Sequence, residues 1–600
     1  MNVQDPRKLS VEGLEGLRTL LQLLTNYFKV EIGTRLLDHM RTIAEPTILQ
    51  KVSFTLIEAN PKMKVVTAIF SVFHLLPPTA VQFLPDLVDR VLKLEASLRR
   101  TRNSPFREPL IQYLNHYSKE AWQFFSGALK EEAKGRFFAQ ILANETSSEL
   151  REKVISEADN LVSMFTTGEM SDEQAQAAAN AIHITYSICK FDEQGLRLLG
   201  NDKLRKAVFS AAKSLQTADQ QNKLSGSLRL AAVQASEQIT YIMTLYLRQK
   251  PDDLDALFDV LEACATGELP RFPELYTYLY KNVITNQSIE YQQSVMIRCI
   301  DVYTNRQSSQ SLKWFVFHNV LNPILANDVK RNWDTLFDGS KGTALLDRSM
   351  TDQIHNKLWK PQSHADVADD STQGVDHSRM ELLQTTAFLV KYHHNMLQDA
   401  RKDIIKFGWN YIRLEDVINK YASYVLIAYF IAHYETPAKI ALQVYGALLR
   451  AHQPEGKNLV MQSLEILEPV LKKRLGGADG RQAMWSKLPR RILSEEISNV
   501  AQLTSIYHFL VRHPDLFYEA REGFAQTIIP SMNKVASLPN TSSENRKLAL
   551  NLVSLICKWE ERTVREQGSL AGVESPTAER AGSPQPQNKR GAVAPPQMRL

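Results

Sequence analysis

The chain has 600 residues, of which 44% are hydrophobic and 23% charged, and this near-average composition excludes an intrinsically disordered protein. Its 71 basic and 66 acidic residues give a net charge of +5, which argues only weakly for an anionic partner. The four cysteines, at 189, 264, 299 and 557, form no CxxC pair. We expect reduced, mostly buried thiols in the cytosol or nucleus.

Apolar runs give no membrane segment. The N-terminus lacks the apolar core of a secretion signal, and the run 421–434 is shorter than the ~20 residues that a membrane span requires. The longer run 65–85 is broken by Pro77-Pro78. We therefore expect no membrane partner.

Residues 1–359 carry amphipathic runs at the 3.6-residue period and no sustained alternation of the kind found in strands. The runs are separated by short breaks at Asn60-Pro61, Pro77-Pro78, 103–105, Pro251, Pro270 and Pro273. We predict a helical-repeat solenoid for this part of the chain.

Two overlapping motifs near the N-terminus, LRTLL at 17–21 and LLQLL at 20–24, match the LxxLL pattern with which coactivator helices dock into receptor grooves. Leucines at this spacing are also what an amphipathic core helix contains. We favour the core interpretation.

Residues 360–378, KPQSHADVADDSTQGVDHS, form a polar, acidic insertion or loop that separates two solenoid stretches. The segment contains possible metal ligands, but they lack the spacing of an EF-hand or a zinc site. We favour a solvated loop and expect no metal at His364, His377, Asp366, Asp369, Asp370 and Asp376.

Residues 379–566 form the second predicted solenoid. Breaks near Glu435, Pro454, 476–480, His513-Pro514 and Pro539 divide it into antiparallel helix pairs of roughly 35 to 45 residues, near the HEAT or armadillo period. Within it, 421–434 is apolar on nearly all sides, as expected for a helix between repeat neighbours.

Two helix starts can be placed in this region. Thr436 precedes Pro437 and is predicted to cap a helix whose inner face carries Ile440, Val444, Ala447 and Leu448. The segment 541–544, Thr-Ser-Ser-Glu, fits a capping box with Thr541 as the cap. The helix that follows has one apolar stripe, formed by Leu548, Leu552, Leu555, Ile556 and Trp559.

Residues 567–600 are rich in Pro, Gly and Ser and cannot bury a core. We predict a disordered linker or tail there.

Catalytic signatures are missing from the sequence: it has no P-loop, GxGxxG, kinase HRD or DFG element, HExxH or GxSxG. The sequence shows no Ser or Cys that would form a catalytic pair with the histidines of Tyr392-His393-His394 or with His433. We predict a protein that is not an enzyme, with no catalytic, cofactor-binding or metal-binding residues and no small-molecule substrate.

Basic residues cluster in three places that could contact nucleic acid. Helix ends also favour Lys and Arg, and no aromatic residues interleave with these clusters as base stacking would require. We favour the helix-end interpretation for Arg99, Arg100 and Arg102, for Lys472, Lys473 and Arg474, and for Lys487, Arg490 and Arg491.

Long motifs in the second half indicate a family. Residues 406–475, above all LIAYFIAHYETPAKIALQVYGALLRAHQPEG, closely resemble the transcription-associated protein family, called TRRAP in animals. Further matches are RRILSEE at 490–496, HPDLFY at 513–518 and SSENRKLALNLVSLICKWE at 542–560. WFVFHNVLNPILAND at 314–328 also looks familial.

The resemblance implies a kinase-related architecture with a helical solenoid, a FAT domain and a kinase-like domain without catalytic residues. Only the solenoid is matched here, so we expect a piece of a longer protein. The family implies a nuclear, non-catalytic scaffold of SAGA and of the H4-directed acetyltransferase complex. Its expected partners are transcription activators and complex subunits, and we expect no direct nucleic-acid binding.

Alternatives remain open at this point. A HEAT array for nuclear transport or nucleic-acid binding is compatible with the slightly basic charge. The chain could also be the helical part of an active kinase-related enzyme.

Overall fold

The structure is a computed structural model. It describes residues 10–23, 31–44, 57, 60–100, 104–165, 170–336, 343–361, 377–413, 416–476, 483–496, 498–536 and 542–571. These residues belong to two compact units, Met1–Phe407 and Gly408–Leu600. The described residues are mainly helical and contain no strand, so the predicted all-α solenoid class is confirmed.

The first unit begins with short helices of 5 to 15 residues. They are α1 Val11–Leu23, α2 Glu31–Ile43, α3 Pro61–Phe70, α4 Leu84–Leu98, α5 Arg107–His116, α6 Ser118–Gly127, α7 Glu132–Leu142, α8 Ser148–Ser156 and α9 Ala158–Val162.

The rest of the first unit contains its longest helices. They are α10 Asp172–Cys189, α11 Asp192–Leu199, α12 Asp202–Gln220, α13 Gly226–Gln249, α14 Leu254–Thr266, α15 Pro273–Tyr278, α16 Ile289–Thr304, α17 Gln310–Val316, α18 Asn322–Arg331, α19 Trp333–Leu336, α20 Arg348–Ile354, α21 His377–His393 and α22 Arg401–Ile412, in which the boundary between the units falls. Three π-helical segments extend helices of this region, at Leu279–Thr285, Phe317–Leu321 and His355–Trp359.

The second unit contains α23 Val417–His433, α24 Ala438–Arg450, α25 Lys457–Leu475, α26 Met484–Glu495, α27 Val500–Arg512, α28 Pro514–Phe517, α29 Arg521–Ala536 and α30 Ser543–Ala571. When the four-residue α28 is left out, every second helix packs against the next in one of two series. One layer is α23, α25, α27 and α30, and the other is α24, α26 and α29. This alternation is the packing of a helical solenoid, in which each repeat contacts its neighbours.

Ion pairs between neighbouring repeats measure the repeat length. Lys130 pairs with Glu173 over 43 residues, and Arg197 pairs with Glu152 over 45. In the second unit, Lys472–Glu519 and Arg562–Asp515 each span 47 residues. Exposed pairs of this kind contribute about 0 to 1 kcal/mol each, so they report the stacking register more than they stabilise it. The repeat lies at or just above the upper end of the predicted 35 to 45 residues.

Several predicted breaks coincide with helix starts. Asn60 caps α3, because its side-chain oxygen accepts from the backbone N–H groups of Lys62 and Met63 at 3.0 and 3.4 Å, and Pro61 occupies the first helical position. Pro273 likewise begins α15. The first backbone N–H groups of a helix have no acceptor within the helix, so proline, which lacks an N–H, is tolerated at this position. The prolines therefore allowed these helix starts to be predicted.

Both predicted N-caps of the second unit need correction. The carbonyl of Pro437 accepts the first helical bonds of α24, so Pro437 is the cap, and the part-buried hydroxyl of Thr436 has no partner among the described residues. For α30, the hydroxyl of Ser542 accepts from the N–H of Asn545 at 3.2 Å. Ser542 therefore caps α30, one residue after the predicted Thr541, which lies outside the described residues. Where several adjacent residues can each cap a helix, the sequence does not show which of them adopts the extended conformation of the cap position.

Prolines inside three helices of the second unit were not expected. They are Pro469, Pro489 and Pro530. Because Pro489 has no N–H, the carbonyl of Trp485 loses its helical donor, and the buried hydroxyl of Tyr445 donates to that carbonyl at 3.2 Å. A side chain from the adjacent α24 thus makes the proline tolerable.

The predicted buried faces are present. Along α23, eleven residues are buried on all sides of the helix, as expected for a helix between neighbours. On α30, Leu548, Leu552, Leu555 and Trp559 are at most 4% exposed, while Ile556 is part-buried. On α24, Val444 and Leu448 are buried, and Ile440 and Ala447 are part-buried.

The two predicted polar segments fall largely on residues that the structure does not describe. Of the insertion 360–378, residues 362–376 lie outside the described part, and α21 begins at His377. Of the tail 567–600, residues 572–600 lie outside it, and α30 continues to Ala571. The domain limits 1–359, 360–378, 379–566 and 567–600 stay predictions.

Candidate interaction surface

A groove with a volume of about 440 Å³ crosses one helical layer of the first unit. In this layer α7 packs against α10, α10 against α13, and α13 against α15. Each of the four helices contributes side chains, and we call this surface the tyrosine groove. Its lining residues are Arg136, Gln140, His183, Tyr186, Gln234, Glu237, Gln238, Tyr241 and Glu274.

Rings from two helices form the aromatic part of the tyrosine groove. His183 and Tyr186 stack with ring centroids 6.4 Å apart, and the Tyr186 and Tyr241 rings meet edge to face at 5.2 Å. The ammonium of Lys190 lies 4.7 Å from the centre of the Tyr186 ring. Part-buried aromatic rings are suited to receive apolar or planar side chains of a partner.

Hydrogen bonding fixes the histidine of the tyrosine groove. Nδ1 of His183 lies 2.6 Å from the amide nitrogen of Gln238. Burial is the main cause that lowers the pKa of His183, so the ring is neutral at physiological pH and Nδ1 accepts from the amide. Burial also raises the pKa of Tyr241, so that its hydroxyl stays protonated.

Charges around the tyrosine groove are mostly neutralised. Arg136 pairs with Glu132 at 3.2 Å, and Arg248 pairs with Glu274 at 2.8 Å. Glu237 is exposed and has no salt bridge within the described part of the chain. The groove therefore offers aromatic surface, amide groups and one free carboxylate.

The groove has no reactive thiol. Cys189 ends α10, but it is fully buried, and burial raises its pKa to about 12. The described residues contain no group of three or more metal-ligating side chains.

The LxxLL leucines are divided between core and solvent. Leu17 and Leu21 are buried in the contact of α1 with α3, whereas Leu20 is 39% and Leu23 76% exposed. Leu24 lies outside the described residues. The core interpretation therefore holds for Leu17 and Leu21, whereas Leu20 and Leu23 are exposed and do not lie in the core as expected.

Two of the three basic clusters lie at helix ends, but Lys487, Arg490 and Arg491 lie inside α26, whose last turn contains no basic residue, so the helix-end interpretation does not hold for that cluster. Lys472, Lys473 and Arg474 occupy the last turn of α25, where the guanidinium of Arg474 donates to the carbonyl of Tyr434 at 2.8 Å. Arg491 pairs with Glu495 within α26. Arg99 is the left-handed residue that ends α4.

The remaining residues of these clusters lie as follows. Arg100 is exposed beside Arg99, Lys487 is exposed on α26, and Arg490 is part-buried beside Gly523, where an added Cβ would meet its guanidinium. Arg102 lies outside the described residues.

The histidines considered in the sequence analysis lie on different helices. His393 is 3% exposed at the end of α21, and His433 is exposed beside Tyr429. Tyr392 packs against Phe388 and Trp333. Of the six possible metal ligands, His377 begins α21, and His364, Asp366, Asp369, Asp370 and Asp376 lie outside the described residues.

Two of the motifs that carry the family resemblance contact each other. The indole N–H of Trp559, from the CKWE end of one motif, donates to the carbonyl of Pro514 in the HPDLFY motif at 2.9 Å. Arg562 then pairs with Asp515 at 3.0 Å, and the hydroxyl of Tyr518 donates to Glu566 at 2.7 Å. These family motifs join successive repeats.

Packing also explains a glycine of the longest matching segment. Gly456 lies at the PEG end of that segment, and a Cβ at this position would come 2.1 Å from the ring of Tyr421. Only glycine leaves room for that ring.

Residues of the tyrosine groove were missed by the sequence analysis. Tyr186 and Tyr241 interrupt helices that are otherwise rich in small and apolar residues, but they lie 55 residues apart in the chain. The sequence signal was a tyrosine on each of two long predicted helices, which core packing explains equally well.

The stacked helix pairs define a HEAT-type helical-repeat protein. The family described as the Tra1 HEAT repeat ring region matches residues 1–597. The chain therefore belongs to the Tra1 HEAT repeat ring family.

Named relatives agree with this family. The chain is 32% identical over 577 residues to the SAGA complex/NuA4 acetyltransferase complex subunit TRA1 of Saccharomyces cerevisiae, covering 94% of this chain and 15% of that protein. It is 30% identical over 573 residues to the subunit of the same name in Schizosaccharomyces pombe, covering 95% and 15%. The human transformation/transcription domain-associated protein is 24% identical over 610 residues, covering 94% and 15%.

The chain thus spans 15% of the length of these three relatives. No helix within the described ranges is both long and apolar enough to cross a membrane.

Proposed function

We propose that this chain is a non-catalytic scaffold segment of a transcription cofactor in nuclear histone acetyltransferase complexes, where it docks activators and complex subunits. The observation that carries the proposal is the family match over nearly the whole chain, together with relatives named as SAGA and NuA4 subunits. A solenoid supports such a role because it presents extended surfaces on a rigid stack of helices.

The tyrosine groove supplies a docking surface for this function. It combines part-buried aromatic rings with amide groups and a neutral histidine, a mixture typical of interface cores. We propose that a subunit of the complex places side chains between Tyr186 and Tyr241.

Binding of purified components tests the function. The 600-residue chain, immobilised, is exposed to individual SAGA or NuA4 subunits, to activation-domain peptides and to duplex DNA at several salt concentrations. We expect saturable binding of at least one subunit or activator, and only weak, non-specific binding of DNA. Tight DNA binding without any protein partner would instead favour the nucleic-acid alternative.

Added positive charge at the groove tests the docking surface. Gln234→Arg and Glu237→Arg change exposed groove residues and should leave the fold intact, while adding bulk and positive charge where the partner lies. We expect affinity for a subunit that uses the groove to fall at least about tenfold, which is about 1.4 kcal/mol. Glu262→Arg, an exposed charge reversal on α14, serves as the control and should not change the affinity.

Nucleotide binding separates this function from the kinase alternative. Adding Mg-ATP should leave the melting temperature unchanged, because a ligand stabilises only a protein that binds it and the sequence has no phosphate-binding loop. A saturable, ATP-specific rise in melting temperature, absent with Mg²⁺ alone, would contradict the non-catalytic proposal.

A further inference from the structure

Two exposed charges at the tyrosine groove have no ionic partner. Glu237 lines the groove on α13, and Lys190 directly follows α10, with its ammonium 4.7 Å from the centre of the Tyr186 ring. Both side chains are exposed, and neither forms a salt bridge within the described part of the chain. We call Lys190 and Glu237 the groove charges.

Other charged residues at the groove are already paired. Arg136 pairs with Glu132 at 3.2 Å, and Arg248 pairs with Glu274 at 2.8 Å. Glu193, three residues after Lys190, is exposed on α11, but no salt bridge between described residues joins the two. Of the charges that line or border the groove, the groove charges are therefore the ones that a partner can pair without breaking an existing contact.

The groove charges lie on opposite sides of the tyrosine rings. His183 contacts Gln238, and the Tyr186 ring contacts the Tyr241 ring, each 55 residues further along the chain, so α10 and α13 run parallel in a fixed register. This register puts Lys190 level with residue 245, eight residues beyond Glu237, which is about 12 Å along the helix axis. Side chains on both helices tilt towards the N-terminus, so the two charges keep roughly this separation.

Both helices that carry the groove charges already have their neighbours in the layer. Helix α7 packs on one side of α10, and α15 packs on the far side of α13. A further repeat of a solenoid stacks on the end of a layer and not across its face. The groove is therefore open to a partner molecule.

Amide side chains line the space around the rings. They are Gln140, Gln234 and Gln238. Gln238 donates to His183, and the oxygen of Gln140 accepts from Arg107, whose guanidinium is paired with Glu95. The oxygen of Gln238 and the nitrogen of Gln140 keep their hydrogen-bonding capacity. An extended partner has unpaired backbone N–H and C=O groups for such amides, whereas a helix pairs most of its own, so this lining favours an extended segment.

We propose that the tyrosine groove binds an extended segment with a basic, an aromatic and an acidic residue at alternate positions. Alternate residues of an extended chain point to the same side, and a rise of about 3.3 Å per residue puts the two charged residues about 13 Å apart. The basic side chain pairs with Glu237, the acidic one pairs with Lys190, and the ring packs on Tyr186 and Tyr241. The inference rests on the proposed function and names the kind of segment that a subunit inserts here.

Fluorescence polarisation of labelled peptides, titrated with the full 600-residue chain, tests this charge pattern. The mixed peptide carries Arg-Ser-Phe-Ser-Glu between Gly-Ser ends, and two controls carry Arg or Glu at both charged positions. We expect the mixed peptide to bind about three- to tenfold more tightly than either control, because each control replaces one exposed ion pair by repulsion. High salt should reduce this preference.

Charge reversals in the chain should exchange the preferred peptide. Glu237→Lys should bind the peptide with two Glu best, and Lys190→Glu should bind the peptide with two Arg best. Rescue by the matched peptide distinguishes lost pairing from misfolding, because a misfolded groove binds no peptide well. Lys203→Glu on α12 and Glu262→Lys on α14 reverse exposed charges elsewhere and should keep the native preference.

Equal binding of the three peptides, or binding of none, would overturn the proposal. A helical peptide with Arg and Glu eight residues apart is the competing probe, and tighter binding of that peptide would show that the occupant is a helix. Self-association of the chain that Glu237→Lys abolishes would indicate a second copy as the occupant, which also contradicts the proposal. Subunit and activator binding is measured separately, so a subunit that binds while every peptide fails contradicts this inference and leaves the proposed function standing.

Discussion

Leu555→Asp should destabilise the second unit by about 3 to 5 kcal/mol, the range expected when a buried side chain is lost and an unpaired charge is introduced into an apolar contact. Leu555 is 3% exposed on α30. With the equally buried Leu548, Leu552 and Trp559 it forms one apolar line along the helix, which we call the core stripe. That stripe faces α27 and α29, with which α30 packs. The substitution therefore weakens the contacts of α30 with α27 in its own layer and with α29 in the other layer.

Urea denaturation followed by circular dichroism measures the loss, and hydrogen exchange shows where it occurs. Because repeat stacks unfold from their ends, protection should fall first in α30 and then in α27 and α29. Leu550→Asp is the matched control: it is the same change five residues earlier in the same helix, at a side chain that is 70% exposed. We expect it to alter stability by less than about 0.5 kcal/mol. Equal effects of the two substitutions would mean that the core stripe is assigned to the wrong face.

Acidification should destabilise the first unit through His393. This side chain is 3% exposed at the end of α21, and neither ring nitrogen has a hydrogen-bond partner among the described residues. Burial, with a smaller contribution from His394, lowers the pKa of His393 from 6.5 to about 4. The folded chain therefore keeps this ring neutral where the unfolded chain protonates it.

The direction of the pH effect on stability follows from the number of protons that the folded and unfolded states bind. Above pH 6.5 the ring is neutral in both states, and its protonation has no effect on stability. Between pH 6.5 and about 4 the unfolded state binds more protons, so stability falls as the pH falls. The full effect of a shift of this size is roughly 3 kcal/mol. His74 and His183 also have pKa values lowered by burial and act in the same direction.

A substitution isolates the contribution of His393. Because leucine does not titrate, His393→Leu should be less sensitive to pH than the native chain between pH 6.5 and 4. Unfolding free energies of both chains at half-unit intervals measure the difference. His452→Leu changes an exposed histidine and should reproduce the native pH profile. Parallel profiles for the native chain and His393→Leu would show that this ring is not the source of acid sensitivity.

Sequence alone determined the helices, many of their limits and the family. The helical period and the positions of prolines depend on only a few neighbouring residues. The start of α3 at Asn60-Pro61 and the start of α15 at Pro273 could therefore be predicted from the sequence. The all-round apolar α23 and the core stripe of α30 were predicted for the same reason. The long familial motifs identified the family because they are specific in sequence, whatever their contacts.

Tertiary structure decided which faces are covered. Gly456 against Tyr421, Tyr445 against the carbonyl freed by Pro489, and the motif contact of Trp559 with Pro514 join residues 35 to 45 positions apart. Stacking of repeats brings such residues together, and no local pattern encodes the register of that stacking.

The tyrosine groove and the exposed apolar side of α30 were hidden in the sequence for the same physical reason. The tyrosine groove needs side chains from four helices, and the periodicity of each helix separately favours core packing for its tyrosine. Helix α30 has apolar residues on two sides, and its period cannot say which side has a neighbour. Only the packing of α30 against α27 and α29 shows that Leu555 is inside and Leu550 outside.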